Sequence, residues 1–276
     1  MLDSFLVEKL LSFLKEDAYP DDITGRLASG INSVAQLRVK EEGVLCGVRV
    51  VIPFLKYMGL QVRNYREDGS KVKRDDIILT FEGDGEVVLA VERTVLNVIS
   101  RLSGVSTATK LMVENAREVN QHVRIAGTRK TTPGFRDLEK YAIEVGGGDP
   151  HRLGLFDAVL IKDNHISLLG GVSESIRKAK SISSFTKKIE VEVSSLEDAM
   201  KAYREGVDAI LLDNMTPQEV REVVQELKGK VILEASGNIT PDNVRAYAST
   251  GVDVISSGFI THSSKALDMS LDVFRF

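Results

Sequence analysis

The sequence predicts an α/β protein, an incomplete α/β barrel of about six strands preceded by a smaller, sandwich-like α+β domain. Three observations carry this. From Val123 onward, short β-branched runs alternate with segments of helical periodicity, and each run ends in a polar cluster. No GxGxxG follows the first of these strands, which favours a barrel over a Rossmann-type sheet; Gly146-Gly147-Gly148 follows a helix instead. Hairpin-like Glu67-Asp68-Gly69 and Gly83-Asp84-Gly85 turns set the earlier part of the chain apart.

Met1–Lys15 places Leu2, Phe5, Leu6, Leu10, Leu11 and Leu14 at helical spacing among acids and lysines, unlike the unbroken apolar core of a signal peptide. Strands are expected at Val34–Lys40, Gln61–Tyr65, Ile77–Glu82 and Glu86–Ala90. A helix is expected over Gly47–Met58, and a longer one over Val91–Asn115 with Gly104 as a kink or packing contact. The barrel strands read as Val123–Ile125, Ala158–Ile161, Ile189–Val193, Ala209–Leu212, Val231–Leu233 and Val254–Ile255. Between them lie helices at Gly171–Lys180, Ser195–Glu205, Thr216–Lys228 and Thr240–Thr250, the last two opening on Thr-Pro, an N-cap followed by a first-turn proline. The tail from Lys265 reads as helical, then apolar, and folds back on the first domain. The expected domains are therefore residues 1–105 with the tail 264–276, and 106–263.

At 276 residues and 43% hydrophobic composition the chain can bury a substantial core. No stretch is long enough to span a bilayer. The formal net charge of −4 argues against a nucleic-acid binder. The single cysteine, Cys46, rules out an intramolecular disulfide and argues against a zinc cluster, and fits a cytoplasmic protein. The four histidines show no metalloprotease spacing.

Against this acidic background, Arg129, Lys130, His151, Arg152 and Lys162 cluster around the glycine run. Such local basicity points to an anionic small molecule. Parallel strands deliver their C-terminal ends to one face, so Thr128-Arg129-Lys130, Lys162, Glu192, Asp213, Ser236-Gly237-Asn238 and Ser257-Gly258-Phe259 converge there. Arginines grip planar carboxylates bidentately, and lysines act as point charges toward carboxylate or phosphate. Glu192 and Asp213 suit ribose hydroxyls or a magnesium ion held mainly by phosphate oxygens. The two glycine-opened turns at the last strands suit a terminal sugar phosphate.

Several motifs in order carry a family resemblance: Glu92-Arg93-Thr94, Arg101-Leu102-Ser103-Gly104, Thr128-Arg129-Lys130-Thr131-Thr132-Pro133-Gly134, His151-Arg152, Ile161-Lys162-Asp163-Asn164-His165, Glu190-Val191-Glu192-Val193, Leu212-Asp213-Asn214 and Glu234-Ala235-Ser236-Gly237. Nearly end to end, the chain resembles the quinolinate phosphoribosyltransferases, the carboxylating nicotinate-nucleotide pyrophosphorylases. The resemblance implies transfer of phosphoribose from phosphoribosyl pyrophosphate to quinolinate with loss of carbon dioxide, a step of NAD synthesis. It implies that Arg129, His151, Arg152 and Lys162 bind the two carboxylates. Lys130 and Lys162 would reach the phosphates, and Glu192 and Asp213 would serve ribose and Mg2+. It also implies a homodimer, or a higher oligomer, in which Arg93 enters from the neighbouring subunit. One departure is Ala235-Ser236-Gly237-Asn238, where relatives read Ser-Ser-Gly-Gly. Alternatives are a transferase acting on another ring acid, such as the molybdenum-transport-associated relative, or a non-catalytic sensor of an anionic metabolite. Glu192 and Asp213 speak against the sensor, because anion capture gains nothing from nearby carboxylates.

Overall fold

The computed structural model describes residues 2–276. The chain runs α1 (Asp3–Ala18), β1 (Asn32–Val39), β2 (Gly43–Val44), α2 (Val48–Tyr57), β3 (Gln61–Tyr65), β4 (Lys71–Val72), β5 (Ile77–Asp84) and α3 (Gly85–Arg117). It continues through β6 (Arg124–Ala126), α4 (Arg136–Val145), β7 (Val159–Ile161), α5 (Asp163–Leu169), α6 (Val172–Ile182), β8 (Ile189–Val193) and α7 (Leu196–Arg204). Last come β9 (Ala209–Asp213), α8 (Pro217–Leu227), β10 (Ile232–Ser236), α9 (Val244–Ala248), β11 (Val254–Ser256), α10 (Phe259–His262) and β12 (Met269–Arg275). Two compact units result, one comprising the residues up to Ala108 with Lys265–Phe276, the other Thr109–Ser264.

The first unit is built on an antiparallel sheet in the order β12-β1-β5-β3. Along β1 burial alternates strictly, with Ala35, Leu37 and Val39 fully buried, as period-two side-chain geometry demands of a sheet with one face in a core. Cys46 is buried in this unit, and burial pushes its thiol well up, so it stays unreactive. Two expectations fail here. Glu86–Ala90 is the opening of α3 rather than a strand: Asp84 accepts the Glu86 N–H at 2.9 Å, and Val88, Val91 and Val95 then recur on one buried face. The local β-branched signal of Val87-Val88 is overridden by burial at helical spacing. The tail is not helical, because Met269–Arg275 adds a strand to the exposed flank of β1, in register from Ser33↔Arg275 to Val39↔Met269. It does return to the first unit, as its apolar content requires.

Gly104 is a packing contact. A Cβ there would fall inside the van der Waals envelope of the Lys265 carbonyl, with the Ala266 Cα 3.0 Å away. Gly104→Ala is therefore expected to lower stability by about 1–3 kcal/mol, since backbone cannot give way as a flexible side chain can. Thermal unfolding checks this, and an unchanged Tm would contradict the packing.

The second unit is a six-stranded parallel sheet in the order β6-β11-β10-β9-β8-β7, so the barrel-like ring is open between β6 and β7, which are consecutive in the chain. A single parallel bridge, Ala126↔Asp149, continues the ladder beyond β6. Helices follow the strands and, apart from α5, each buries a stripe. In α8, Val220, Val223, Val224 and Leu227 are buried, and Thr216 with Glu219 forms a reciprocal capping box. Three details depart from the sequence reading. Thr240–Thr250 shortens to α9. The β10 strand runs on to Ser236. The polar end of β7 turns straight into α5, whose first turn is closed by the His165 ring accepting the Lys162 N–H at 3.0 Å.

Candidate active site

At the C-terminal ends of the parallel strands lies a cavity of about 430 Å³, lined among others by Thr128, Arg129, Lys130, His151, Arg152, Lys162, Glu192 and Asp213. Strand periodicity explains the lining. Leu211 with Asp213 and Glu234 with Ser236 are alternate residues of β9 and β10, Leu160 of β7 stands two before Lys162 just past that strand, and Glu192, Leu211 and Glu234 are register neighbours. Their in-between partners Ile161, Leu212 and Ala235 are buried. A second cavity of about 160 Å³ is lined by Ser236, Gly237, Asn238, Ser257, Gly258 and Phe259, and shares Thr128 and Lys130 with the first.

Lys162 directly follows β7, whereas Arg129, Lys130, His151 and Arg152 reach the cavity on two loops between β6 and β7. In the first, α4 holds the backbone: Glu139 accepts from the Thr132 N–H at 3.1 Å and its hydroxyl at 2.9 Å, and Arg136 donates to the Thr131 hydroxyl at 2.9 Å. In the second, Asp149 accepts the His151 N–H at 2.7 Å, which sets His151 in a left-handed conformation at φ 55°. The Arg152 N–H then donates to His151 Nδ1 at 2.7 Å, and His151 Nε2 meets Glu234 at 3.1 Å. Both ring nitrogens are thus engaged within the protein. A proton on Nε2 and a lone pair on Nδ1 fit these partners.

The electrostatics are unbalanced. Lys162 Nζ lies 2.6 Å from Glu192, but Arg129, Lys130 and Arg152 have no carboxylate within ion-pair distance among the described residues. Arg129 also keeps a buried Nε without a protein partner. Burial and the neighbouring Arg129 charge lower Arg152 from its usual value. Below, burial and then the charge of Glu234 raise Glu190, which keeps it protonated more readily than an ordinary carboxyl. Burial alone would lower His151, but the hydrogen bond to Glu234 and the charges of Glu234 and Glu190 outweigh it and raise it.

At the smaller cavity, Gly237 and Asn238 both take positive φ, at 103° and 51°, and open the turn after β10. Ser257 donates to the Ile239 carbonyl at 2.6 Å and accepts the Phe259 N–H at 3.1 Å, which ties the turn after β11 to it. A Cβ at Gly258 would come 3.0 Å from Cδ of Lys130 and 2.7 Å from Nε2 of His262, so glycine keeps that wall open.

Comparison with known proteins agrees with this geometry. Residues 22–103 match the family model of the N-terminal domain of quinolinate phosphoribosyl transferase, and residues 105–272 match that of its C-terminal domain. The chain belongs to the quinolinate phosphoribosyl transferase family. It is 42% identical to a probable nicotinate-nucleotide pyrophosphorylase (carboxylating) of Methanothermobacter thermautotrophicus, over 97% of this chain and 99% of the relative. The human nicotinate-nucleotide pyrophosphorylase (carboxylating) is 40% identical over 95% of this chain and 90% of its own. Among solved structures, the nicotinate-nucleotide pyrophosphorylase of Francisella tularensis superposes with a TM-score of 0.93 at 38% identity, covering 99% of this chain and 98% of that one.

Of the residues singled out in the sequence of this family member, those on the barrel line one or other cavity. Arg93 belongs to the first unit, exposed on α3. Glu190, Asn214 and Glu234 stand in the sequence motifs but carry no assigned role there, and neither does His262. The signal for the glutamates was present: Glu190 and Glu192 stand two apart on one strand, as do Glu234 and Ser236, and so share the cavity-facing side. As to magnesium, the described residues hold one cluster of three close ligand-bearing residues, His151, Glu190 and Glu234, whose atoms engage one another. Glu192 and Asp213 are two carboxylates without a third, a set that fits a magnesium ion bound chiefly by substrate phosphates and not a protein cage.

Proposed function

We infer that this chain is a quinolinate phosphoribosyltransferase, forming nicotinate mononucleotide, pyrophosphate and carbon dioxide from quinolinate and phosphoribosyl pyrophosphate. The observation that carries the substrate assignment is the set of three cations, Arg129, Lys130 and Arg152, on one cavity without carboxylate partners among the described residues. A dicarboxylate and the phosphates of a sugar diphosphate are the counter-charges that such a set suits.

The chemistry follows from charge. The ring nitrogen attacks the anomeric carbon as the bond to the diphosphate oxygen breaks, so positive charge grows on ribose and negative charge on the leaving group. Glu192 and Asp213 face the first, and Lys130 and Lys162 the second, already in place before bond breaking. The alkylated ring is then a cationic electron sink. Its neighbouring carboxylate leaves as carbon dioxide, and the electron pair left on the ring carbon takes up a proton. Glu192 and Asp213 would hold a magnesium ion, which would supply further neutralisation of the leaving group. The smaller cavity, with Ser236, Gly237, Asn238, Ser257, Gly258 and Phe259, takes the terminal phosphate. Arg93 enters this reading as a contribution of the partner subunit in a homodimer. The single buried Cys46 fits a reducing, cytoplasmic setting.

Incubation with quinolinate, phosphoribosyl pyrophosphate and magnesium should release pyrophosphate, and none would sink the assignment. Within it, Arg129→Gln is expected to weaken quinolinate about tenfold or more with little effect on phosphoribosyl pyrophosphate, while Asp213→Asn mainly lowers kcat. Identical profiles for the two variants would refute this division of roles.

A further inference from the structure

Lys140 lies on α4 with only 2% of its surface exposed. Its ammonium donates to the Pro150 carbonyl and meets no carboxylate within ion-pair distance among the described residues. Burying a lysine this way is costly, and a methionine or leucine would fill the same space without that cost. The acceptor shows what the ammonium holds. Pro150 sits between Asp149, which is laddered to β6 through the Gly127 N–H at 2.9 Å and the Ile125 carbonyl at 2.8 Å, and the left-handed residue His151. Arg152, whose N–H is docked on the His151 ring, comes next.

We propose that Lys140 is a positioning residue for recognition of the acid substrate: through the Pro150 carbonyl it holds the turn at His151 so that the Arg152 guanidinium meets a carboxylate. The inference rests on the assignment of quinolinate to the larger cavity. Its pH dependence has a definite sign. Burial, together with the charge of Arg136 on its own helix, pushes the Lys140 ammonium down to about 8; Arg152 acts in the same direction, Asp149 and Asp157 oppose it, and the Lys140 charge in turn works to lower His151. The grip of Lys140 is therefore full at neutral pH and fades as pH rises through about 8.

The test is calorimetric titration of quinolinate and, separately, of phosphoribosyl pyrophosphate into wild-type enzyme and Lys140→Met between pH 7 and pH 9.5, with thermal unfolding alongside. At neutral pH the variant should bind quinolinate on the order of ten- to a hundredfold more weakly, with phosphoribosyl pyrophosphate affinity within about twofold of wild type. Its Tm should be equal or higher, because a buried charge has been removed. Wild-type quinolinate affinity should fall through pH 8 more steeply than that of the variant. Unchanged quinolinate affinity with a lower Tm, or parallel loss of both ligands, would overturn the proposal in favour of a purely structural lysine. If Lys140→Met does not fold, the wild-type profile decides, and a quinolinate affinity constant from pH 7 to 9.5 overturns it. A wild-type enzyme that binds no quinolinate refutes the substrate assignment itself, a different result from a wild type that binds and a variant that binds equally well.

Discussion

Quinolinate is expected to outperform nicotinate by about a thousandfold or more in kcat/KM, measured with the same phosphoribosyl pyrophosphate and magnesium. The cavity that holds Arg129, Lys130, His151, Arg152 and Lys162 provides carboxylate-partnered neutralisation for Lys162 but not for Arg129 or Arg152. A monocarboxylate leaves part of this set desolvated and unpaired. The cost is about 1–3 kcal/mol for an unmet polar group and more for a charged one, and two such groups account for a factor of this size. Equal efficiency with the two acids would show that the cations serve phosphates alone.

A comparably large effect is expected from a mixing experiment on Arg93 and Lys162. Arg93→Ala should fold normally, since the residue is exposed on α3, and Lys162→Ala alters an exposed residue at the end of β7. Each variant alone should retain less than about a hundredth of wild-type activity, the scale on which single preorganised charges act. If the partner subunit's Arg93 completes each site, a mixed dimer carries one site with both lesions and one with neither. Unfolding the two variants together at equal concentration and refolding them should then return about a quarter of wild-type activity, because half of randomly paired dimers are mixed. Mixed dimers without recovered activity would place Arg93 in the site of its own chain or outside any site.

Much of the barrel was legible because each signal was local. The runs at Ile189–Val193 and Ala209–Asp213 announce buried parallel strands, and the polar residue ending each strand must lie on the face where the ends meet. What was not legible depended on distant partners. Lys140 reads as an ordinary surface lysine on an amphipathic helix, and only the return of Pro150 over it shows the ammonium to be buried. Glu86–Ala90 has the composition of a strand and is helical because its valines are wanted at helical spacing by a core that the local sequence does not contain. The tail 269–275 has little periodicity of its own and becomes a strand only against β1. His151 was legible as a functional residue but not as one whose two nitrogens are already bonded, since that needs Glu234, 83 positions away.

The pairing of β1 with β12 also sets a timetable for synthesis. Arg38 and Asp272 bond across this pair although 234 positions separate them, a stretch that takes a ribosome roughly ten to fifty seconds to translate. The unit that contains the earliest residues is therefore finished last, whereas Thr109–Ser264 is contiguous and complete before β12 emerges. Through that interval β1 is a sheet edge with open amides and carbonyls, able to recruit a strand from a neighbouring nascent chain. Arrival of Met269–Arg275 closes that edge, which makes the final strand a guard against misassembly as much as a piece of the sheet.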